Sequence, residues 1–154
     1  MADEYEFLSL VRARTTHEAA RGLLDDVALL PVDDARLVLT SDTIVEGVHY
    51  LPADPPADIG WKLAAVNLSD LAAKGARPMG CLLNYSLSGD RDWDAAFLDG
   101  LHQALDRHAM PLLGGDTVKM PAASARSYSL TAIGMASGAV PTRAGARAGD
   151  RLYV

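Results

Sequence analysis

Two long segments of this chain repeat apolar residues at helical spacing, and short apolar runs lie on either side of them. The first stripe comprises Trp93, Phe97, Leu101 and Leu105. Their four-residue spacing places them on one face of a helix over 92–108. The second stripe comprises Ile59, Leu63, Val66 and Leu71. It indicates a helix that begins after Asp54-Pro55-Pro56 and ends at Gly75.

The shorter apolar runs have the length and composition of strands. They cover 27–30, 36–40, 79–88, 112–113 and 128–133, and a short amphipathic helix over 4–14 precedes them. This order predicts an α/β (α+β) domain with a mixed four-to-five-stranded sheet and helices on one face. The run over 112–113 is expected to be buried and to end at Gly114-Gly115-Asp116, and 121–125 is expected to be a flexible loop.

Charge and length exclude several classes of protein. The 154 residues suit one domain, and 14 Lys and Arg against 20 Asp and Glu leave a net charge of −6. That sign disfavours non-specific binding to nucleic acid or anionic membranes. The single Cys81 excludes an internal disulfide and a multi-cysteine zinc site. There is no long apolar run and the first residues are acidic, so we expect a cytoplasmic protein without a signal peptide.

The last residues look like the beginning of a strand. Residues 149–154 read GDRLYV, with apolar residues and no stop signal. Because a domain rarely ends within a strand, we expect the chain to continue into a second domain.

Aspartates stand out as candidate functional groups, in four short segments. The segments contain Asp25-Asp26, Asp42, Asp70 and Asp116, and Ser or Thr hydroxyls lie near several of them. Hard cations such as Mg²⁺ prefer oxygen ligands, commonly a few carboxylates with water and substrate phosphates. Converging carboxylates without a metal would repel one another. The pattern therefore predicts a magnesium–phosphate site at Asp26, Asp42, Asp70 and Asp116.

Each acid also has a structural interpretation. Asp25-Asp26 fits a turn, and Asp42 fits an Asx-turn. Asp70 shares a helix face with apolar residues, so a structural Asp70 would need a buried partner. Gly114-Gly115 fits either a tight turn or a close approach of the backbone to phosphate. His49 fits an ordinary loop histidine, and no nucleophile–base pair is evident.

Four separated segments resemble the thiamine-monophosphate kinase family, in the same order along the chain. They are 42–50 (DTIVEGVHY), 62–73 (KLAAVNLSDLAA), 113–117 (LGGDT) and 142–150 (TRAGARAGD). The resemblance covers about 4–154 and corresponds to the N-terminal, magnesium–ATP-binding domain of that family, without its C-terminal domain. The family belongs to the aminoimidazole ribonucleotide synthetase-like superfamily, in which the N-terminal sheets of a homodimer pair into a barrel.

The resemblance implies ATP-dependent phosphorylation of thiamine monophosphate to thiamine diphosphate, assisted by several magnesium ions. By motif position it assigns the metal ligands to Asp26, Thr40, Ser41, Asp42, Asp70 and Asp116. It assigns ATP contacts to Gly115, Asp116 and Arg143, and a contact with the thiamine phosphate to His49. Because the acceptor phosphate is already ionised, no general base is expected. We expect the 154 residues alone to be inactive.

Three positions depart from the family pattern. Leu24 replaces the usual Gly before the paired acids, and a Leu does not readily adopt a positive φ. Lys74 replaces the usual Met and suits a helix C-terminus. Thr40-Ser41 inverts the usual Ser-Thr and keeps both hydroxyls. Two other functions stay open: another magnesium–ATP enzyme of the superfamily, or a non-catalytic nucleotide-binding or dimerisation module.

Overall fold

The computed structural model describes residues 4–121 and 124–151. In chain order its elements are α1 (Glu4–Arg12), a 3₁₀ helix (Glu18–Leu23), β1 (Ala28–Val32), β2 (Ala35–Val45), α2 (Pro56–Ala73), β3 (Arg77–Leu87), α3 (Arg91–Arg107), β4 (Leu112–Lys119), β5 (Ser127–Ala136) and a second 3₁₀ helix (Arg143–Gly145). The predicted order of helices and strands is confirmed. Ala122 and Ala123 of the predicted loop, and Leu152–Val154 of the predicted terminal strand, lie outside the described residues.

The five strands form one mixed sheet in the order β1-β2-β5-β3-β4. Every neighbouring pair is antiparallel except β3 and β4, which are parallel and joined through α3. A parallel connection needs such a crossover, because the chain must return to the starting end of the sheet. The predicted mixed sheet is therefore confirmed, with five strands.

Strand β4 differs from its prediction in length and burial. It continues through Lys119, so 114–116 lie within the strand and not in a turn beyond it. Leu113 is 59% exposed, although the sequence predicts a buried strand. The reason is its place in the sheet: among the described residues, β4 is an edge strand that pairs with β3 alone.

Helices α2 and α3 pack together over one face of the sheet, as predicted. The fully buried side chains of this layer include Ile59, Leu63 and Leu71 of α2 and Phe97, Leu101 and Leu105 of α3. The two helices approach backbone to backbone, because a Cβ on Gly60 would lie 2.1 Å from the Phe97 carbonyl oxygen. A Cβ on Gly100 would likewise lie 1.9 Å from the carbonyl oxygen of Ala57.

The opposite face of the sheet, called the open face below, carries alternate residues of each strand. In β5, Tyr128, Leu130 and Ala132 are fully buried toward the helices, whereas the residues between them are half-buried. The open face comprises Leu37, Leu39, Ser41 and Thr43 of β2, Ser129, Thr131 and Ile133 of β5, Leu82 and Asn84 of β3, and Asp116 and Val118 of β4. Within the described ranges, no helix is long and apolar enough to cross a membrane.

Candidate functional site

Thr40 lies at the centre of a polar group between β2 and α2. It is 4% exposed, and its side chain points toward the helices. Its hydroxyl donates a hydrogen bond of 2.6 Å to Oδ2 of Asp70 and lies 3.3 Å from the carbonyl oxygen of Asp26. Asp42 stands two residues farther along β2, on the same face as Thr40. The fold therefore places Thr40 between the carboxylate of Asp70 and the backbone of Asp26, with Asp42 on the same face of β2.

Asn67 fixes the position of Asp42 relative to α2. The Asn67 side chain is fully buried, and its Oδ1 accepts a 3.1 Å hydrogen bond from the backbone N–H of Asp42. Its Nδ2 donates to the carbonyl oxygen of Leu63, one turn earlier, at 3.0 Å. Both ends of the buried amide are satisfied, so Asn67 connects β2 rigidly to α2.

The electrostatics of the acids fit a bound cation. Burial and the nearby negative charge of Asp70 raise the pKa of Asp42, and the neighbouring His49 lowers it. A raised pKa means that the local environment disfavours the charged carboxylate. A divalent cation between Asp42 and Asp70 would reverse that effect, because it supplies positive charge and accepts oxygen ligands. These residues therefore fit the predicted magnesium site.

Arg143 pairs with Asp26 through two N–H groups of its guanidinium. Nε donates to Oδ2 at 2.7 Å, and Nη2 donates to Oδ1. The side chains are 62% and 36% exposed, so the pair is a surface ion pair and contributes little to stability. The contact joins residues 117 positions apart and brings the predicted ATP-binding arginine to the acids.

The neighbouring Asp25 has a different role. Its side chain is 4% exposed; Lys74 donates a hydrogen bond to Oδ1, and Nη1 of Arg21 lies 3.2 Å from Oδ2. Lys74, the C-cap residue of α2, is itself 5% exposed. The paired acids are thus divided: Asp25 is a buried structural group, and Asp26 is partly exposed and pairs with Arg143. The sequence analysis did not predict the Lys74–Asp25 pair. The positive charge at position 74 was the signal that could have indicated it.

Leu24 does not require the backbone of glycine. Its φ is −99°, which any residue adopts, and the positive φ values fall just before it, at Arg21, Gly22 and Leu23. Leu24 is 67% exposed. The departure from the family pattern at this position is therefore sterically compatible with the loop that carries Asp26.

Ser41 and Asp116 lie on the open face, away from the other predicted ligands. Asp116 pairs with Asn84, Asn84 with Ser129, and Ser129 with Thr43, and paired residues point to the same side of a sheet. Strand β4 is three strands from β2, or about 14 Å at the usual strand spacing. In residues 4–121 and 124–151, no three His, Cys, Asp or Glu side chains cluster closely enough to hold a metal ion.

Gly115 is required by packing within the sheet. A Cβ on Gly115 would lie 1.7 Å from the carbonyl oxygen of Leu83 on β3. At Gly114 the nearest atom to such a Cβ is a Leu82 methyl, 3.9 Å away. Two glycines were considered for a close approach of the backbone to phosphate. At Gly115, the close approach of β4 to β3 by itself explains why the residue is glycine.

His49 is held in one orientation by the turn that follows β2. Its Nδ1 accepts a 3.1 Å hydrogen bond from the backbone N–H of Val45, so a neutral ring carries its proton on Nε2. His49 is exposed, and its carbonyl oxygen accepts a hydrogen bond from Nζ of Lys62 on α2. His49 thus presents an N–H donor, and Lys62 places a positive charge nearby.

Arg126 anchors the same turn from the other side. Its Nε donates to Oε2 of Glu46 at 2.7 Å, and its guanidinium lies 4.2 Å from the ring centroid of Trp93. Its carbonyl oxygen accepts from the backbone of Glu46 at 2.9 Å and from the hydroxyl of Tyr50 at 3.2 Å. Sequence reasoning did not identify Arg126, because nothing local to it predicts contacts with residues 76 and 80 positions away.

Comparison with known proteins gives one family and a consistent set of relatives. The family model described as "AIR synthase related protein, N-terminal domain" matches residues 24–136. The thiamine-monophosphate kinase of Synechococcus elongatus is 43% identical over 131 residues, covering 82% of this chain and 39% of that protein. That of Escherichia coli K12 is 42% identical over 136 residues, covering 86% of this chain and 41% of that protein.

A solved structure described as "AaThiL complexed with AMPPCP and TMP" superposes with a TM-score of 0.83 at 27% identity. The match covers 94% of this chain and 45% of that one. The chain thus spans about two fifths of the length of the curated relatives that it matches. The resemblance to thiamine-monophosphate kinase and the expected fold class are both confirmed.

Proposed function

This chain belongs to the AIR synthase related protein family, and on that premise we propose that it is the magnesium–nucleotide-binding domain of a thiamine-monophosphate kinase. The observation that carries the proposal is the position of Asp42 and Asp70 beside Thr40, which also contacts the backbone of Asp26, while Arg143 pairs with the Asp26 carboxylate. Relatives named thiamine-monophosphate kinase, at 42–43% identity, favour this enzyme over other magnesium–ATP enzymes of the superfamily.

Transfer of a phosphoryl group to a phosphate brings together two anions, which repel each other. The residues of this site can reduce that repulsion. Asp26, Asp42 and Asp70 would hold magnesium, which supplies charge neutralisation and orients the phosphates. Arg143, already beside Asp26, would contact the phosphates of ATP. His49 presents Nε2–H, and Lys62 adds positive charge, toward a second anionic group such as the phosphate of thiamine monophosphate. A general base is unnecessary, because the acceptor oxygen is already ionised.

A calorimetric titration tests the nucleotide part of this proposal. The chain is titrated with a non-hydrolysable ATP analogue, once with Mg²⁺ and once with EDTA. We expect saturable binding that depends on Mg²⁺ and disappears in Asp42→Asn. The matched control is Asp99→Asn, which removes an exposed carboxylate on α3. Equal binding with and without Mg²⁺, or no binding at all, would contradict the assignment of a magnesium–nucleotide site to these residues.

The position of Asp116 supports a dimeric site. Within one chain Asp116 is about 14 Å across the sheet from β2. Ser41 and Asp116 nevertheless share the open face, which also carries Leu37, Leu39 and Ile133. A second copy packed on this face would cover these apolar side chains and could bring its Asp116 next to Ser41. We therefore propose a homodimer in which Asp116 of one copy lies beside Ser41 of the other.

A mixing experiment tests whether Asp116 acts across the dimer. Asp42→Asn and Asp116→Asn chains are each expected to lose magnesium-dependent nucleotide binding. If Asp116 serves the partner, re-associating the two variants restores roughly a quarter of the sites, because half the dimers are mixed and each has one intact site. A mixture as inactive as its components would place Asp116 outside the partner's site.

Substrate identity requires a longer chain that includes the C-terminal domain. We expect such a protein to form thiamine diphosphate from ATP and thiamine monophosphate in the presence of Mg²⁺. A panel of alternative acceptors separates this enzyme from others of the superfamily. Turnover of another acceptor without any of thiamine monophosphate would favour a different magnesium–ATP enzyme.

A further inference from the structure

Lys74 is a buried cation at the C-terminal end of α2, and it is not one of the residues assigned to the proposed site. We propose that Lys74 is a positioning residue, which holds the segments carrying Asp26 and Arg143 side by side at the end of α2. The contacts of Lys74 with these two segments, called the tie below, are a property of the fold. Its purpose, ordering a magnesium–nucleotide site, rests on the proposed function.

One ammonium group contacts both segments. Nζ of Lys74 donates to Oδ1 of Asp25, next to Asp26, and lies 3.5 Å from the carbonyl oxygen of Pro141, two residues before Arg143. Lysine has three N–H donors, so both contacts can be made at once. The contacts span 49 and 67 positions of sequence, and they meet at a residue whose side chain is 5% exposed.

The loop before Asp26 depends on such side-chain contacts. Its backbone has positive φ at Arg21, Gly22 and Leu23 in succession, which is unfavourable for the two non-glycine residues. Arg12 on α1 donates to the carbonyl oxygen of Leu23 at 2.8 Å. Asp25 is then held by Lys74 and, through a charge contact of 3.2 Å, by Arg21.

The Asp26–Arg143 pair cannot supply this order by itself. Both of its side chains are substantially exposed, so water screens their attraction. By contrast, the Lys74–Asp25 pair is almost completely buried. Removing Lys74 would leave the buried Asp25 with Arg21 alone, and removing Asp25 would take away the carboxylate with which Lys74 pairs.

Hydrogen–deuterium exchange of the 154-residue chain tests the tie directly. In Lys74→Met we expect exchange to accelerate at least about tenfold in both 24–27 and 139–147, with the core strands unchanged. Lys119→Met is the matched control, because Lys119 is exposed on the edge strand β4, and Lys74→Arg should retain the slow exchange. Unchanged exchange in either segment of Lys74→Met would overturn the tie. If Lys74→Met does not fold, Asp25→Asn removes the Lys74–Asp25 contact from the other side and should accelerate exchange in 24–27, and unchanged exchange there would overturn the tie.

Nucleotide affinity then tests the purpose of the tie. We expect Lys74→Met to weaken the magnesium-dependent binding of the ATP analogue by roughly tenfold, and the Asp25→Asn, Lys74→Met double variant to bind no more weakly than the weaker single one. Affinity equal to that of the unsubstituted chain would overturn the positioning role. If the unsubstituted chain itself fails to bind while the exchange pattern holds, the proposed function fails and the tie stands.

Discussion

The hydroxyl of Thr40 on β2 donates a 2.6 Å hydrogen bond to Oδ2 of Asp70 on α2, across the boundary between sheet and helix. A hydrogen bond to a charged acceptor is among the stronger ones in proteins, and here the donor is buried. It orients one carboxylate oxygen of Asp70 and leaves the other oxygen available. The same contact thus stabilises the packing of β2 against α2 and orients a candidate metal ligand.

Replacing Thr40 with Val keeps the shape of the side chain and removes the hydroxyl. We expect the free energy of unfolding to fall by about 1.5–3 kcal/mol, the usual contribution of a hydrogen bond to a charged group. Magnesium-dependent nucleotide binding should weaken as well, because Asp70 loses its orientation. Urea denaturation and calorimetry measure the two effects. Thr131→Val, which removes an open-face hydroxyl that bonds Ser41, serves as the control.

Asp42→Asn should separate stability from function. Burial and the charge of Asp70 raise the pKa of Asp42, so the charged form is disfavoured in the absence of a cation. Removing that charge should leave the metal-free free energy of unfolding no lower than before, while magnesium-dependent nucleotide binding is lost. Chemical denaturation with EDTA and titration with Mg²⁺ check the two halves. A large loss of metal-free stability would mean that Asp42 has a structural role instead.

Arg143→Gln should change two affinities in opposite directions. In the present structure the guanidinium occupies both carboxylate oxygens of Asp26, where a divalent cation would otherwise bind. Without it, binding of Mn²⁺ alone, followed by electron paramagnetic resonance, should tighten. Binding of the magnesium–nucleotide complex should weaken, because a phosphate contact is lost. Parallel weakening of both would show that Arg143 merely orders the loop.

Gly115→Ala should be far more harmful than Gly114→Ala. Both glycines have positive φ, 157° at Gly114 and 151° at Gly115, so alanine strains the backbone at either position. A methyl group at Gly115 would in addition collide with the carbonyl oxygen of Leu83, whereas the same group at Gly114 would meet only a side-chain methyl at ordinary contact distance. We expect a loss of at least about 2 kcal/mol from the first change, since the clash involves backbone that cannot move freely. Thermal unfolding of the two variants gives the comparison. Equal stabilities would contradict the close approach of β4 to β3.

Alkaline pH should destabilise the chain through its buried weak acids. Burial raises the pKa of Cys81 to about 11, and burial is also the main cause of the raised pKa values of Tyr50, Tyr85 and Tyr128. A folded-state pKa above the unfolded value preserves stability at low pH and loses it as pH rises. The free energy of unfolding should therefore decline from about pH 9 upward.

Urea denaturation at stepwise pH, with phenolate absorbance recorded in parallel, measures this effect. We expect phenolate absorbance from the three buried tyrosines to appear together with the loss of helical circular dichroism. In Tyr85→Phe the decline in stability should be shallower, because one titrating group has been removed. Stability that does not change between about pH 8 and pH 11 would contradict the burial of these groups.

Local patterns in the sequence determined the order of the elements and the residues of the core. The stripes on α2 and α3 depend on neighbours three or four positions away, so periodicity alone identified Leu63, Phe97 and Leu101 as inward-facing. The same local reasoning placed Asp70 partly toward the core, where Thr40 is its partner. The assignment of six residues to magnesium stays a prediction.

Tertiary structure alone decided which polar groups meet. Asp25 and Asp26 are adjacent in sequence, yet Lys74 and Arg143, 49 and 117 positions away, give them different roles. Strand order placed Asp116 three strands from β2 and made β4 an exposed edge. A local pattern reports which way a side chain faces relative to its own element. Contacts between distant elements depend on how the whole chain packs, and that is why the sequence identified the acids without showing their partners.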